Sequence, residues 1–494
     1  MSSQAAVHEI RAQPSFLATR RGKLTLAFLC MVGFLDFVDA SIVNVALPSI
    51  RRDLHFSLQN LQWILSGYLL TYGGFMLLGG RAADLLGRRR ILVAGIVVFA
   101  ASSLTGSLAQ DPAMLVGARL VQGLGAAMMV PAALSILTTT FTEGRDRHTA
   151  LGAWGGIAGL ASAFGVFLGG LLTEDLNWRW VFWVNLPMSA LLLVLTFRMV
   201  DRDPEVARTR NFDAIGAVLV TAGMLLLVYA LVKAPDQGWS SGRTIGELAV
   251  AAVLLLAFLV NEKRHANPLA PLSIFRVNGL GAANLTQVIA IGGFYTMFFL
   301  MTLYMQNVLG WSQLQAGSAY LPATAGVAIS SGVASQLFHR LGTRPIIVAG
   351  ALIGAAGVYL LSDVPVHGAY LGNILPGLLV MSFGLGFVFV GVNTAANAGV
   401  PADKAGLAAA LINTSTWVGG ALGLAIFSVI ATTRTTHLLA HGAASPAALT
   451  GGFHRALVAC VIYIAVAALI ALRATNTRGE EQPAIEAEPA VEMV

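Results

Sequence analysis

Three ionisable residues lie where the sequence leaves no room for water. Asp36 and Asp39 fall inside an apolar run over residues 24–50, and Arg119 falls inside another over about 113–139. A carboxylate at the middle of a membrane helix costs about 2.5–3.5 kcal/mol on an insertion scale, so such a residue reads as functional and as needing a partner. At spacing i, i+3 the two aspartates share one helix face, which must look into protein or water and not into lipid. Counted from the outer ends of their helices at about 1.5 Å per residue, Asp39 and Arg119 both lie about 9–14 Å deep, within reach of an arginine side chain. Burial raises the pKa of such a carboxylate and a nearby guanidinium lowers it again. The chemistry these residues could do is therefore binding and release of a proton.

A second constellation is Gly80-Arg-Ala-Ala-Asp84-Leu-Leu-Gly87-Arg88-Arg89-Arg90. Two glycines allow a tight turn at the membrane face. Asp84 can cap a helix or hold an arginine, and the arginines anchor the turn in the cytoplasm. Asp84 set between the glycines is more than a plain basic turn needs, so Gly80, Asp84, Gly87, Arg88 and Arg89 read as functional residues. Other chemistry is poorly provided for. The nine histidines lie in the N-terminal arm, in loops or at span ends, and the two cysteines, Cys30 and Cys460, are both in apolar runs. Neither a metal site, a disulfide framework nor a catalytic triad is expected, and no G-x-x-x-x-G-K-[ST] loop is present to hold ATP. An enzyme is disfavoured on these grounds. No cofactor and no ATP are expected.

The elements that position these residues are membrane helices. Of 494 residues 56% are hydrophobic and 11% charged, against about 25% charged in a soluble domain. The fold class is an all-α integral membrane protein. After 24–50, spans are expected near 60–80, 91–109, 113–139, 149–172, 181–200, 213–233 and 245–261. Six more follow near 281–308, 316–338, 345–362, 370–398, 405–432 and 454–473, which makes fourteen. With a cytoplasmic N-terminus, 22 of the 30 Lys and Arg fall inside, 7 outside and Arg119 in a span; the opposite orientation would violate the positive-inside rule. Both termini are expected in the cytoplasm. That excess of basic residues accounts for the net charge of +6 without invoking nucleic acid.

The organisation expected is a cytoplasmic arm over 1–23, a six-helix bundle over 24–200, a linker with two membrane helices over 201–276, a second six-helix bundle over 277–475, and a disordered acidic cytoplasmic tail over 476–494. The turn GRAADLLGRRR between spans 2 and 3 has a weak echo in SQLFHRLGTRP between spans 10 and 11, as a duplicated transporter with an inserted helix pair would show.

The turn at Gly80–Arg90 resembles the loop 2–3 signature of the major facilitator superfamily, G-x-L-A-D-R-x-G-R-R, with Ala82 and Leu85 as departures. Asp39-Ala-Ser41-Ile-Val-Asn44-Val-Ala-Leu-Pro48 resembles the first-helix signature of the fourteen-helix drug:H+ antiporters, with Ser41 in place of Thr. Arg119-Leu-Val-Gln122-Gly123 resembles R-x-x-Q-G. Gly165-Val-Phe-Leu-Gly169-Gly170 resembles the antiporter signature, with Val166 in place of its proline. Trp178-Arg-Trp-Val-Phe-Trp-Val-Asn185-Leu-Pro187 is similar to the family's interfacial aromatic anchor.

The resemblance implies a major facilitator fold, fourteen helices as two six-helix bundles plus two linker helices, in the plasma (inner) membrane. It implies export of small amphipathic or cationic drugs in exchange for protons by alternating access, with antibiotic resistance as the outcome. It makes Asp39 the proton carboxylate and Arg119 its switching partner. Asp36 is left to tune cation selectivity, or simply to be hydrated in the cavity. Asp84 is expected to contact the start of the thirteenth span, near residues 402–406, in the outward-open state. Trp63, Tyr68, Gln122, Phe294, Tyr295, Asn393, Asn413 and Trp417 are candidates to line the substrate cavity. The expected partners are cargo, protons and the lipid bilayer, and a monomer is the working expectation. Export of a lipid or other metabolite on the same fold, and import by proton symport, remain open alternatives.

Overall fold

The computed structural model describes residues 16–141, 145–201, 213–265, 268–269, 272–400 and 405–478. Fourteen long helices run back and forth through it. They are α1 (Arg20–Asp53), α2 (Leu58–Leu86), α3 (Arg88–Ser107), α4 (Pro112–Thr140), α5 (Arg145–Asp175), α6 (Trp180–Met199) and α7 (Ala214–Gln237). The rest are α8 (Gly242–Arg264), α9 (Leu280–Asn307), α10 (Leu321–Leu341), α11 (Thr343–Ser362), α12 (Tyr370–Asn397), α13 (Ala405–Ala440) and α14 (Ser445–Ala471). Among the described residues, 12 helices are both long and apolar enough to cross a membrane. The two others, α5 and α10, are rich in glycine, alanine and serine, yet with 31 and 21 residues they span about 30 Å or more.

Local chemistry sets the helix ends. Asp111 caps α4 by accepting the Met114 N–H at 2.9 Å, with Pro112 in the first turn, where its missing N–H costs nothing. Ser241 caps α8 through Thr244 N–H at 3.1 Å. Between α2 and α3 the chain turns on Gly87 at φ 107°, and between α10 and α11 it turns on Gly342 at φ 87°. Both conformations penalise any residue with a Cβ. The two sequence-similar turns therefore have the same backbone requirement at the same point of each half.

Two expected spans start at clearly different residues. The tenth starts at Leu321 and not near residue 316, because Gln313–Ser318 forms a separate short helix closed by a Ser312–Gln315 capping box. The last begins at Ser445, nine residues before its expected start at 454. The polar stretch through His454 and Arg455 carries the helix out of the apolar run.

Helices α1–α6 form one half and α9–α14 the other. One buried apolar core runs from Phe28 to Leu35 of α1 through α2, α3 and α4, and takes in Trp417, Ala421 and Ala425 of α13. A second fills the other half and reaches across to Val38–Ile50 of α1 and on to Ile64 of α2, Leu115 of α4, Ala161 of α5 and Phe182 of α6. Helix α7 sits against α2, with Thr221 against Gly74 and Gln59 Nε2 donating to Val232 O, and it also touches α13. Helix α8 packs on α7 and is otherwise largely exposed, as a helix facing lipid would be.

The end where α1 starts and α14 stops is called the near end below. At the opposite, far end the halves are joined by four hydrogen bonds among the described residues. Asn44 Nδ2 donates to Thr302 Oγ1 at 3.2 Å, Gln306 Nε2 to Val45 O at 2.8 Å, Gln313 Nε2 to Ser49 Oγ at 2.8 Å, and Leu314 N–H to Glu174 Oε2 at 2.9 Å. The bundle is closed at its far end.

Candidate functional site

The cluster at the middle of the bundle starts from Asp39, in the middle of α1 and fully buried. Arg119 of α4, also fully buried, places Nη1 2.7 Å from Asp39 Oδ2. The other carboxylate oxygen accepts from Gln122 Nε2 at 2.8 Å and from Asn185 Nδ2 of α6 at 2.7 Å. Three donors from two helices thus hold Asp39. A buried ion pair repays its desolvation only with such geometry.

Arg119 is held as fully on one side. Its Nε donates to Ile64 O at 3.0 Å and Nη1 also to Gln122 Oε1 at 2.7 Å. Gln122 and Asn185 in turn donate to Ser103 Oγ of α3 at 2.8 and 3.3 Å. The guanidinium lies 4.2 Å from the Tyr68 ring centroid and 6.0 Å from that of Phe182, within cation–π range. Its Nη2, buried, has no hydrogen-bond partner among the described residues.

Asp36 lies one turn nearer the near end and is fully buried. The expectation that it is hydrated in a cavity does not hold. Tyr68 donates its hydroxyl to Oδ1 at 2.7 Å and Tyr72 its hydroxyl to Oδ2 at 3.0 Å. The two tyrosines are one turn apart on α2, so one face of that helix closes over the carboxylate. The Tyr72 ring also stacks on Trp417 of α13 with centroids 4.5 Å apart. That contact, with Gly73 against Trp417 and Val418, joins the halves at mid-height.

The cavity candidates separate into two groups. Tyr68, Gln122 and Trp417 belong to the cluster just described, and the half-buried Tyr295 ring lies against Gly420 and within electrostatic range of Asp36. The others do not line that cluster. Trp63 packs on Tyr229 of α7 with centroids 6.4 Å apart. Phe294 is buried against Gly354 of α11. Asn393 and Asn413 each donate to the carbonyl four residues back, Phe389 O at 2.7 Å and Ala409 O at 3.0 Å. On an apolar helix, an amide satisfied by its own backbone is the simplest solution.

The turn residues are placed as follows. Asp84 is half-exposed, accepts from Ser135 Oγ of α4 at 3.3 Å and lies 3.5 Å from Arg88. Gly80 meets only Pro131 at ordinary contact distance, so Gly87 alone carries the backbone requirement. Arg89 lies over the Phe197 ring at 5.2 Å and donates to Phe197 O at 3.3 Å. The expected contact of Asp84 with residues 402–406 falls largely on 402–404, outside the described residues.

The three glycines of α5 face different neighbours. A Cβ on Gly165 would meet Ser41 Oγ and, at 2.8 Å, Val38 O; one on Gly169 would meet Ile42. Both contacts lie within the first half. A Cβ on Gly170 would meet Gln313 O at 2.7 Å and Leu314 Cα at 2.8 Å, and Gly317 faces Val166 O at 2.6 Å in the same way. These last contacts cross to the second half at the far end.

Trp178, expected as an interfacial anchor, is only 3% exposed. Its Nε1 donates to Asp53 Oδ2 at 2.8 Å beside Arg179 Nη1 at 2.7 Å, so it ties α1 to the turn before α6. Trp180 and Trp183 carry the exposed rings instead. Tyr72 and Ser103 were not singled out from sequence, and Asn185 only as part of an aromatic signature. The i, i+4 spacing of Tyr68 and Tyr72 was the available signal for the first. Nothing in the sequence marks Ser103. Among the described residues no group of three His, Cys, Asp or Glu is placed to hold a metal ion.

Comparison with known proteins gives one family and a consistent set of relatives. Residues 29–424 match the family model described as Major Facilitator Superfamily. The puromycin resistance protein pur8 of Streptomyces alboniger is 37% identical over 455 residues, covering 91% of this chain and 90% of its own. The cephamycin export protein CmcT of Amycolatopsis lactamdurans is 37% identical over 456 residues, covering 92% of each. Among solved structures, a bacterial homologue of the human lysosomal transporter Spinster, inward-facing and occupied, superposes with a TM-score of 0.67. It does so at 15% identity, over 92% of this chain and 97% of that one, a likeness of fold.

Proposed function

Because the chain belongs to the Major Facilitator Superfamily, a family of transporters and not of enzymes, we propose that it exports small amphipathic or cationic antibiotic-like compounds in exchange for protons. The relatives named for puromycin resistance and cephamycin export support the cargo class and the direction. The observation that carries the mechanism is the Asp39–Arg119 pair at 2.7 Å, fully buried and mid-way between the halves.

Asp39 is the proton site. As a carboxylate it holds Arg119, Gln122 and Asn185. A proton bound there neutralises it and leaves Arg119 with a buried charge and a lost partner. Stripping one partner from a buried pair costs about 3–5 kcal/mol, so proton uptake and movement of Arg119 go together. The protein works in the cell membrane as a monomer with both termini in the cytoplasm, so the far end is external. The conformation described here, closed at the far end, is then the one from which cargo is loaded from the cell. Gly170 and Gly317 let the external seal close. In the outward-open conformation Asp84 latches onto the start of α13, whose N–H groups carry partial positive charge. Tyr295, against Gly420, and Trp417, against Tyr72, are the aromatic surfaces of the second half on which cargo stacks.

Expression in a susceptible host, with growth scored against a panel of antibiotics and cationic dyes, tests this reading. Raised tolerance to at least one such compound, lost on collapse of the proton gradient, is the expected result. Tolerance unchanged across the panel, with the protein present in the membrane, would contradict it.

A further inference from the structure

Arg119 has five N–H donors and uses only three. Nε–H goes to Ile64 O, and Nη1 serves Asp39 and Gln122. Nη2 is buried and, among the described residues, has no hydrogen-bond partner, a costly arrangement for a charged group unless the atom is used in another conformation. The Tyr68 ring that covers the guanidinium at 4.2 Å ends in the hydroxyl bound to Asp36. A second carboxylate therefore lies just past that ring.

Charge counting points the same way. At this depth the buried charged side chains, among the described residues, are Asp36, Asp39 and Arg119. The titratable groups around Asp36 are Asp39 on its own helix, Tyr68 and Tyr72 on α2, Arg119 on α4 and Tyr295 on α9. Each oxygen of Asp36 has a tyrosine hydroxyl within hydrogen-bond reach, enough donors to hold the carboxylate when it is ionised. When both carboxylates are ionised, the one guanidinium leaves one uncompensated negative charge in a low-dielectric interior. One proton, or one cationic cargo molecule, brings the cluster to neutrality.

We propose that Arg119 is a shared counter-ion: it pairs with Asp39 in this conformation and swings to Asp36 when Asp39 is protonated. The balance is simple. A proton from the cavity water adds to the Asp39 carboxylate to give the neutral acid, the cluster passes from −1 to 0, and no other bond is made or broken. Arriving at Asp36, Nη2 displaces the tyrosine hydroxyls. Tyr72 is then no longer held at both ends, by Asp36 and by its stack on Trp417 of the opposite half. Asp36 is thereby a positioning residue that transmits the state of Asp39 to the contact between the halves. This role rests on Asp39 being the proton site and replaces the selectivity role that the sequence assigns to Asp36.

The test is the distance across the near end, read by paired spin labels on purified protein between pH 5 and pH 8.5 without cargo. Thr139→Cys and Asn397→Cys place the labels on exposed positions of opposite halves, and the native Cys30 and Cys460 are buried. In the parent protein the distance distribution shifts with pH. With Asp36→Asn the cluster is already neutral, so the shift disappears and the distribution stays as at high pH. With Asp39→Asn the shift also disappears, but the distribution stays as at low pH, because Arg119 rests on Asp36. Asp36→Glu restores the shift. Tyr68→Phe, which frees Asp36 of one hydroxyl while keeping the ring, raises the low-pH population at pH 7 about tenfold, as loss of a hydrogen bond to a charged group should.

A full pH shift in Asp36→Asn overturns the proposal. If Asp36→Asn does not fold, an unchanged population in Tyr68→Phe overturns it instead. A shift that survives in Asp39→Asn but not in Asp36→Asn would fault the proton-site reading on which the proposal rests, and is a different result.

Discussion

Replacing Gly170 by alanine should favour the conformation that is open at the far end, and the structure sets the size of the effect. The added Cβ would lie 2.7 Å from Gln313 O and 2.8 Å from Leu314 Cα. Both are backbone atoms of the second half, beside the Leu314 N–H bond to Glu174, so neither can rotate away. Overpacking of this kind costs about 1–3 kcal/mol. The cost falls only on the far-end-closed state, because in the open state Gln313 has moved off α5. A bias of that size changes the ratio of the two conformations about 5–150-fold. Gly165→Ala is the internal control. Its Cβ would meet Val38 O at 2.8 Å, within the first half, so it strains both conformations alike and lowers stability without changing their ratio. The assay is the distance between spin labels at Asn177 and His441, both exposed at the far end on opposite halves. If Gly170→Ala leaves that distribution unchanged, or if Gly165→Ala moves it as far, the glycines do not seal the far end in the way argued.

Two further outcomes follow from the cluster and the turns. Arg119→Leu leaves both carboxylates buried without a counter-charge, so it should abolish transport and cost about 3–5 kcal/mol in a detergent unfolding measurement; Arg119→Lys should recover stability but not transport, since it loses the Nε contact to Ile64 O and the planar face over Tyr68. Reporter fusions after Arg90 and after Arg210 should read as cytoplasmic and one in the Trp178 turn as external, and an external reading at Arg210, with the others as stated, would break the fourteen-helix assignment.

Most of the architecture was legible because a bilayer imposes its own period on sequence. Long apolar runs punctuated by arginine-rich turns can form little except spanning helices. The places where the expected ends moved are those where polar residues continue a helix beyond the apolar run, as at Ser445–Arg455, or where a capping box interrupts it, as at Ser312–Gln315. Asp39 and Arg119 stood out because charge is rare at membrane depth. Tyr72, Asn185 and Ser103 did not, because hydroxyl and amide side chains are common in such helices and only the third dimension says which meet. The same reason explains Asn393, Asn413 and Phe294: polarity or size drew attention to them, but each is satisfied within its own half. Asp36 was visible as a carboxylate, while its two tyrosine partners, and through them its reach to Trp417, depend on how α2 is rotated.

The central claim is that a proton on Asp39 drives export, and exchange in reconstituted vesicles tests it most directly. Purified protein is sealed into liposomes with an imposed pH gradient, and uphill movement of a cargo identified from the growth panel is recorded together with the lumenal pH. Asp39→Asn keeps the size of the side chain and cannot titrate. The account predicts that this variant binds cargo and exchanges it downhill, yet neither concentrates it against its gradient nor moves protons when cargo is added, while the parent protein does both. Proton-driven accumulation by Asp39→Asn at the parent rate would contradict it.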